Sequence, residues 1–285
     1  MLAEENDGLE ATAAAYYGNP NLLPVAGSQA AIQCLPHLLP RAAVVMPAPI
    51  YNEHPHAWER AGHKVRRLGG ANLARALTAM APTVLLCNPN NPTGRAYTRD
   101  ELLDAAAQLK KRGGTLVVDE AFADADPENC VAPFAGTKEA PNLIVLRSLG
   151  KFFGLAGARV GFLLGRRELL AQMIEELGPW TVSGPSRLVA QRALADTDWH
   201  AAARSRLAAD SARLSALLAP LGEVRATPLF CWLPLERAQA LHDFLAARGI
   251  LVRLFADVPG LRFGLPGDET EWQRLVAALN EWSLQ

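Results

Sequence analysis

Ser148-Leu149-Gly150-Lys151-Phe152-Phe153-Gly154-Leu155-Ala156-Gly157-Ala158-Arg159 decides how the rest of the chain reads. An apolar run precedes it, Leu143-Ile144-Val145-Leu146, and another follows, Val160-Gly161-Phe162-Leu163-Leu164. Both have the length and composition of buried strands. One hydroxyl, one lysine and one arginine therefore sit on a glycine-rich loop between two strands. Apolar and aromatic neighbours make Lys151 costly to keep charged if it is buried. A desolvated lysine beside a fixed cation such as Arg159 has its pKa pushed down and becomes a nucleophile for carbonyl carbons. That is the setting for a Schiff base. Taken alone, the stretch fits as well a solvated lysine with an unrelated arginine nearby.

Outward from this loop, the preceding residues alternate apolar runs with helical patterns. Leu22–Ala26, Val44–Met46, Thr83–Cys87 and Thr115–Val118 read as buried strands. Ala30 to Leu39, residues 52 to 61, and Thr98 to Lys111 read as helices, the last opened by a Thr98/Glu101 capping box. This alternation predicts a mostly parallel sheet with helices on both faces. Polar motifs fall at the strand exits. Gly27-Ser28-Gln29 opens a helix whose free N–H groups and dipole suit an anion, although Ser28 could equally be a plain N-cap. Tyr51 follows Pro47-Ala48-Pro49 and is placed to lie over a flat ligand. Asn91 sits on the rigid loop Asn88-Pro89-Asn90-Asn91-Pro92-Thr93-Gly94. Asp119 ends a hydrophobic strand and needs a cation, N–H groups or a protonated heterocycle. Strand exits of such a sheet share one edge, so these motifs converge on one crevice.

The 285 residues are 50% hydrophobic, enough for one large core or two domains. A formal net charge of -1 gives no electrostatic case for nucleic acid or an anionic membrane, and no apolar run approaches a membrane span. Met1-Leu2-Ala3-Glu4-Glu5-Asn6-Asp7 is acidic and reads as no signal peptide. Four scattered cysteines, Cys34, Cys87, Cys130 and Cys231, match neither a metal site nor a disulfide framework. They read as reduced thiols of a cytoplasmic protein that carries no metal. Past Arg167 to Gly178, a helix, Gly178–Pro185 reads as a non-helical hinge and Ser186 to Leu218 as one long helix. The tail alternates short strands and helices as a small α+β unit. The expected division is a short N-terminal segment (1–24), a large domain (25–180) and a small domain (181–285).

One ligand wants an anion seat at Gly27, Ser28, Gln29, Ser148 and Arg159, an aromatic cover at Tyr51, an amide at Asn91, a buried carboxylate at Asp119 and an amine at Lys151. It is pyridoxal 5'-phosphate. Here the chain resembles the fold-type-I pyridoxal-phosphate enzymes of the aspartate-aminotransferase superfamily. Asn88–Gly94, Val118-Asp119-Glu120-Ala121, Ser148-x-x-Lys151 with Arg159, and Gly260-Leu261-Arg262-Phe263-Gly264 carry the likeness. Within it, the chain is similar to the histidinol-phosphate aminotransferases and closer still to the threonine-phosphate decarboxylases of cobalamin biosynthesis. Gly27–Ile32, Asp119–Phe122, Gly178–Pro185 and Leu251-Val252-Arg253 point there.

The resemblance implies a pyridoxal-phosphate-transferase-like large domain with a small C-terminal domain, and a homodimer. It implies Lys151 as the Schiff-base residue. It implies a small phosphorylated amino acid as substrate, bound by Asn91, Arg253 and Arg262, with Arg262 on its carboxylate and Arg253 reading its phosphate. Aminotransferases of this group carry tyrosine where this chain has Phe122, which fits the decarboxylase branch. The implied reaction is decarboxylation of L-threonine O-3-phosphate to aminopropanol phosphate. Transamination of the histidinol-phosphate type and an inactive or regulatory protein are the alternatives. The family places several tens of residues ahead of the Ala15-Tyr16-Tyr17-Gly18 region, including a His-Gly-Gly-type stretch over the site. From Met1 this chain is expected to lack them, with a cost in substrate affinity and water exclusion.

Overall fold

The computed structural model describes residues 7–70, 72–255 and 257–283. Six residues of the expected 1–24 segment therefore lie outside the described residues. The described chain divides into two compact units. One runs to Asn91 and includes Ala96–His200; the other takes Pro92–Arg95 with the chain from Ala201 onward. The division thus falls after residue 200, where the sequence suggested 180.

The first unit opens with α1 (Leu9–Tyr17), β1 (Leu22–Val25), α2 (Ser28–Leu38), β2 (Ala43–Ala48) and α3 (Glu53–Arg60). It continues with β3 (Lys64–Gly69), α4 (Leu73–Thr78), β4 (Thr83–Cys87), α5 (Arg99–Lys110) and β5 (Thr115–Asp119). Then come β6 (Leu143–Ser148), β7 (Gly161–Leu164), α6 (Arg167–Leu177), α7 (Gly184–Ala195) and the start of α8 (Thr197–Leu218). Its seven strands lie in the order β1-β7-β6-β5-β4-β2-β3. β2 with β3, β2 with β4, β4 with β5 and β5 with β6 pair in parallel, while β7 pairs antiparallel with both β6 and β1. The sheet is fully covered at its centre: every residue of β4, β6 and β7 is buried, as continuous apolar runs require.

α5 begins as expected. Thr98 Oγ1 accepts from Glu101 N–H at 3.2 Å, and Glu101 Oε2 accepts from Thr98 N–H at 2.8 Å. The long helix expected from Ser186 to Leu218 is two helices. Asp196 (φ -82, ψ 75) breaks it, and its Oδ1 accepts from Trp199 N–H at 3.0 Å, capping α8.

The second unit holds the rest of α8, β8 (Arg225–Thr227), β9 (Phe230–Pro234), α9 (Ala238–Ala246), β10 (Arg253–Phe255), β11 (Gly260–Gly264) and α10 (Glu269–Trp282). Its antiparallel sheet has the order β10-β11-β9-β8 and its own core, with Leu214, Cys231, Leu241, Phe263 and Leu275 buried. β10 begins two residues later than the sequence suggested: Leu251 is 88% exposed and outside it. All four cysteines are free. Among the described residues, no helix is long and apolar enough to cross a membrane.

Candidate active site

The parallel strands bring their exits to one edge, and one pocket there is lined by Ser28, Gln29, Tyr51, Asn91, Asp119, Ser148, Lys151 and Arg159. Every residue expected on the first-unit site lines it except Gly27, whose backbone forms its turn.

That turn is the anion seat. Gly27 takes φ 71, a left-handed conformation that favours glycine, and delivers Ser28 as the first residue of α2. A Cβ on Gly27 would lie 2.8 Å from Nη2 of Arg159, so the guanidinium rests directly over the turn. Arg159 is itself left-handed (φ 53), which aims it back from the start of β7. β7 also closes on the turn: a Cβ on Gly161 would meet Ser28 N at 2.5 Å. Ser148 ends β6 and is buried, its Oγ accepting from Gly150 N–H at 3.2 Å. Helix N-terminus, hydroxyl and guanidinium thus surround one point, an arrangement suited to a phosphate. Gln29 has a second task, since its Nε2 donates to Glu53 Oε2 at 2.8 Å and ties α2 to α3.

At the pocket's far side Asp119 is 5% exposed. Its Oδ1 accepts from Ala121 N–H at 3.0 Å, and its Oδ2 pairs with His54 Nε2 at 2.8 Å. His54 Nδ1 is buried without a hydrogen bond. Nε2 is thus the ring nitrogen that meets the carboxylate. Asp119 thereby presents a buried carboxyl group to the pocket, suited to a protonated ring nitrogen. Cys87 Sγ lies 4.0 Å from the same Oδ2. Burial, then the nearby Asp119, pushes the Cys87 thiol well above its ordinary value.

His54, Cys87 and Asp119 place three donor atoms within 4.8 Å of one another. They do not have the build of a tetrahedral metal site. The 2.8 Å pair is closer than the ~3.3 Å separation set by two-ångström ligand bonds, and His54 lacks the outer partner that orients a ligating imidazole.

Tyr51, 38% exposed, stands with its ring 6.0 Å from that of His54, edge to face. Burial, followed by the carboxylates of Glu53 and Asp119, raises its phenol above the ordinary value. The Asn88–Gly94 loop is held by Asn88, whose Nδ2 donates to Tyr97 O (3.1 Å) and whose Oδ1 accepts from Tyr97 N–H (2.8 Å). Asn90 Nδ2 donates to Pro49 O at 3.0 Å, which joins this loop to the one bearing Tyr51. Lys151 Nζ lies 5.4 Å from the centroid of the Phe122 ring.

One expectation changes. Leu149, Phe152 and Phe153 point into the core, whereas Lys151 and Arg159 are exposed. The apolar neighbours therefore anchor the loop and do not desolvate the lysine, because they alternate away from it.

In the second unit, Arg253 and Arg262 are direct cross-strand partners on β10 and β11. Like charges placed opposite one another are unfavourable. Burial, then Arg253, draws the Arg262 guanidinium below its ordinary value. The pair is suited to a ligand with anionic groups.

No motif in the sequence marks His54 or Cys87 for chemistry. The readable signal for His54 was its place one helical turn past Tyr51, at the start of α3.

The residues present fit pyridoxal phosphate: an anion seat, an aromatic wall, a pocket-facing buried carboxylate and an amine share one pocket. Comparison with known proteins agrees. The chain is 52% identical over 280 residues to threonine-phosphate decarboxylase of Pseudomonas aeruginosa, covering 98% of this chain and 83% of that one. It is 34% identical to a histidinol-phosphate aminotransferase of Mycobacterium tuberculosis, covering 92% and 73%. Histidinol-phosphate aminotransferase from Sinorhizobium meliloti, solved with pyridoxal-5'-phosphate, superposes with TM-score 0.85 at 26% identity over 97% of this chain and 81% of that one. A family model described as aminotransferase class I and II matches residues 5–279, and the chain belongs to that family.

Proposed function

We propose that this protein is a pyridoxal-phosphate-dependent carboxy-lyase that converts L-threonine O-3-phosphate to aminopropanol phosphate, a step of cobalamin biosynthesis. The observation that carries it is the 52% identity, across nearly the whole chain, to a threonine-phosphate decarboxylase. Phe122 beside Lys151 and the opposed Arg253 and Arg262 support it.

In this reading Ser28, Ser148 and Arg159 hold the cofactor phosphate, Tyr51 covers the ring, Asn91 serves its phenolic oxygen, Asp119 its ring nitrogen, and Lys151 holds its aldehyde carbon. When bound, the cofactor supplies a sink for the electron pair left on Cα when the carboxylate departs as CO₂. The chain's own work is placement and proton delivery. Arg262 and Arg253 grip the substrate's carboxylate and phosphate by planar, bidentate contacts. Their grip would fix the substrate's pose, and a shift of about an ångström in that pose would change the outcome. Lys151 Nζ, freed once the substrate amine takes its place, would donate a proton to Cα after CO₂ has departed, so that a C–H bond replaces the broken C–C bond.

The deciding experiment incubates purified, cofactor-loaded protein with threonine phosphate. Release of CO₂ with stoichiometric aminopropanol phosphate is expected. Transfer of the amino group to 2-oxoglutarate without CO₂ would instead favour the histidinol-phosphate-type aminotransferase, for which the 34% relative speaks. We read the assembly as a cytoplasmic homodimer. Exposure of Lys151 and Arg159 in the single chain, and of Leu188 and Val189 at 48% and 41%, supports it. Light scattering giving a monomer mass would sink that part.

A further inference from the structure

The strand exits that carry Asp119 and Ser148 are tied to each other by a buried ion network. β5 and β6 run parallel with Asp119 opposite Leu146, which brings the next residues, Glu120 and Arg147, side by side. Strand alternation turns these two away from the pocket that Asp119 and Ser148 line. Arg147 Nη1 donates to Glu120 Oε2 at 2.8 Å, and Nη2 pairs with Asp124 Oδ1. Arg147 is 2% exposed, and Glu120 and Asp124 are fully buried. Glu120 Oε1 accepts from Val131 N–H at 2.6 Å, and the Tyr17 ring lies 4.9 Å from the guanidinium carbon.

Such a network is a poor device for stability, because removing three charges from water costs about what their attraction returns. Its geometry offers a different use. One guanidinium fastens the exit of β6, the exit of β5 and the turn that follows β5. Pocket residues lie next to each fastened point: Ser148 follows Arg147, Asp119 precedes Glu120, and Ala121 and Phe122 lie between Glu120 and Asp124. Any slip of β6 against β5 would carry the hydroxyl of the anion seat away from the ring-nitrogen carboxylate.

We propose that Arg147, acting through Glu120 and Asp124, is a positioning residue that sets the spacing between the phosphate seat and Asp119, and with it the seating of the cofactor. The inference rests on the cofactor reading given above. It makes the network a gauge of the pocket, replaceable for folding but not for alignment.

The test compares wild type with an apolar replacement, Arg147→Met with Glu120→Leu and Asp124→Leu, and with the milder single changes Glu120→Gln and Arg147→Lys. Three quantities are measured: the melting temperature of the cofactor-free protein, the pyridoxal-phosphate dissociation constant, and the pH midpoint of the bound cofactor's visible absorbance. The apolar triple is expected to melt near wild type, to bind cofactor about ten- to a hundredfold more weakly, as when outer partners of a ligand are lost, and to show a displaced midpoint. Arg147→Lys keeps the charge but not the two-carboxylate fork, so it is expected to leave affinity unrescued. Wild-type affinity and midpoint in a folded triple overturn the inference. If the triple does not fold, the two single variants decide: weakened binding with unchanged melting upholds it, and unchanged binding in both overturns it. A wild-type protein that takes up no cofactor overturns this inference together with the reading beneath it.

Discussion

At Phe122 the proposed specificity can be tested on a single hydroxyl. The ring lies under Lys151 Nζ and offers it a π face, where a tyrosine would offer an oxygen to the ligand. Phe122→Tyr is expected to add one donor, worth about 1 kcal/mol, and so to move the ratio of amino transfer to CO₂ release about fivefold toward transfer. Both products are assayed from one incubation, and an unchanged ratio would remove Phe122 from the specificity argument. His54 acts one step further back. Its Nε2 meets Asp119 at 2.8 Å and its ring stands edge to face with Tyr51, while its Nδ1 has no hydrogen-bond partner among the described residues. His54→Phe keeps the buried volume while removing the donor. A hydrogen bond to a charged group is worth about 1.5–3 kcal/mol, so the cofactor dissociation constant is expected to rise at least about tenfold. Equilibrium dialysis of pyridoxal phosphate measures it.

At the scale of elements, the opposed arginines of β10 and β11 invite a separate measurement. Arg253→Gln removes a like-charge cross-strand contact, so thermal stability should hold or rise slightly. If Arg253 grips the substrate phosphate, KM for threonine phosphate should rise about tenfold or more while the cofactor spectrum stays unchanged. A lower melting temperature with unchanged KM would contradict both halves. Strands were the most legible elements in the sequence, because buried parallel strands are continuous apolar runs. Thr83–Cys87 and Leu143–Leu146 could be read without a partner in view. The glycine turn at Gly27, the Asn88–Gly94 loop and Asp119 were legible for the same reason: each is the polar stop at the end of such a run. Less could be read where the determinant was tertiary. The break at Asp196 hinges on one side chain choosing to cap rather than continue a helix. The exposure of Lys151 depends on which way a loop turns. The Arg147 network is invisible locally, since an arginine inside an apolar strand reads as an error until its two carboxylates are found on the neighbouring chain segment.

For the whole molecule, the buried thiols set an alkaline limit. Burial is the main cause that pushes Cys130 up to about 12 and Cys231 to about 11 from the ordinary 9.0. The folded protein thus holds protons that the unfolded chain releases near pH 9. The stabilisation is complete below that pH and is lost as pH rises toward those raised values. Urea midpoints measured between about pH 8 and about pH 11 should fall, and Cys130→Ala with Cys231→Ala should flatten the fall. A wild-type curve no steeper than the variant's would refute it.

The antiparallel pairing of β7 with both β1 and β6 has a consequence for how the protein comes into being. Leu22–Val25 meets Gly161–Leu164, segments separated by most of the first unit's sequence. The phosphate seat is made of both, with Ser28 from one end and Arg159 from the other. Contacts so distant in sequence carry a loop-closure cost and slow folding. A nascent chain that has not yet left the ribosome as far as β7 has no seat to offer. A chain cut short of Gly161 lacks the strand that closes on the Gly27 turn and is therefore expected to take no colour from pyridoxal phosphate.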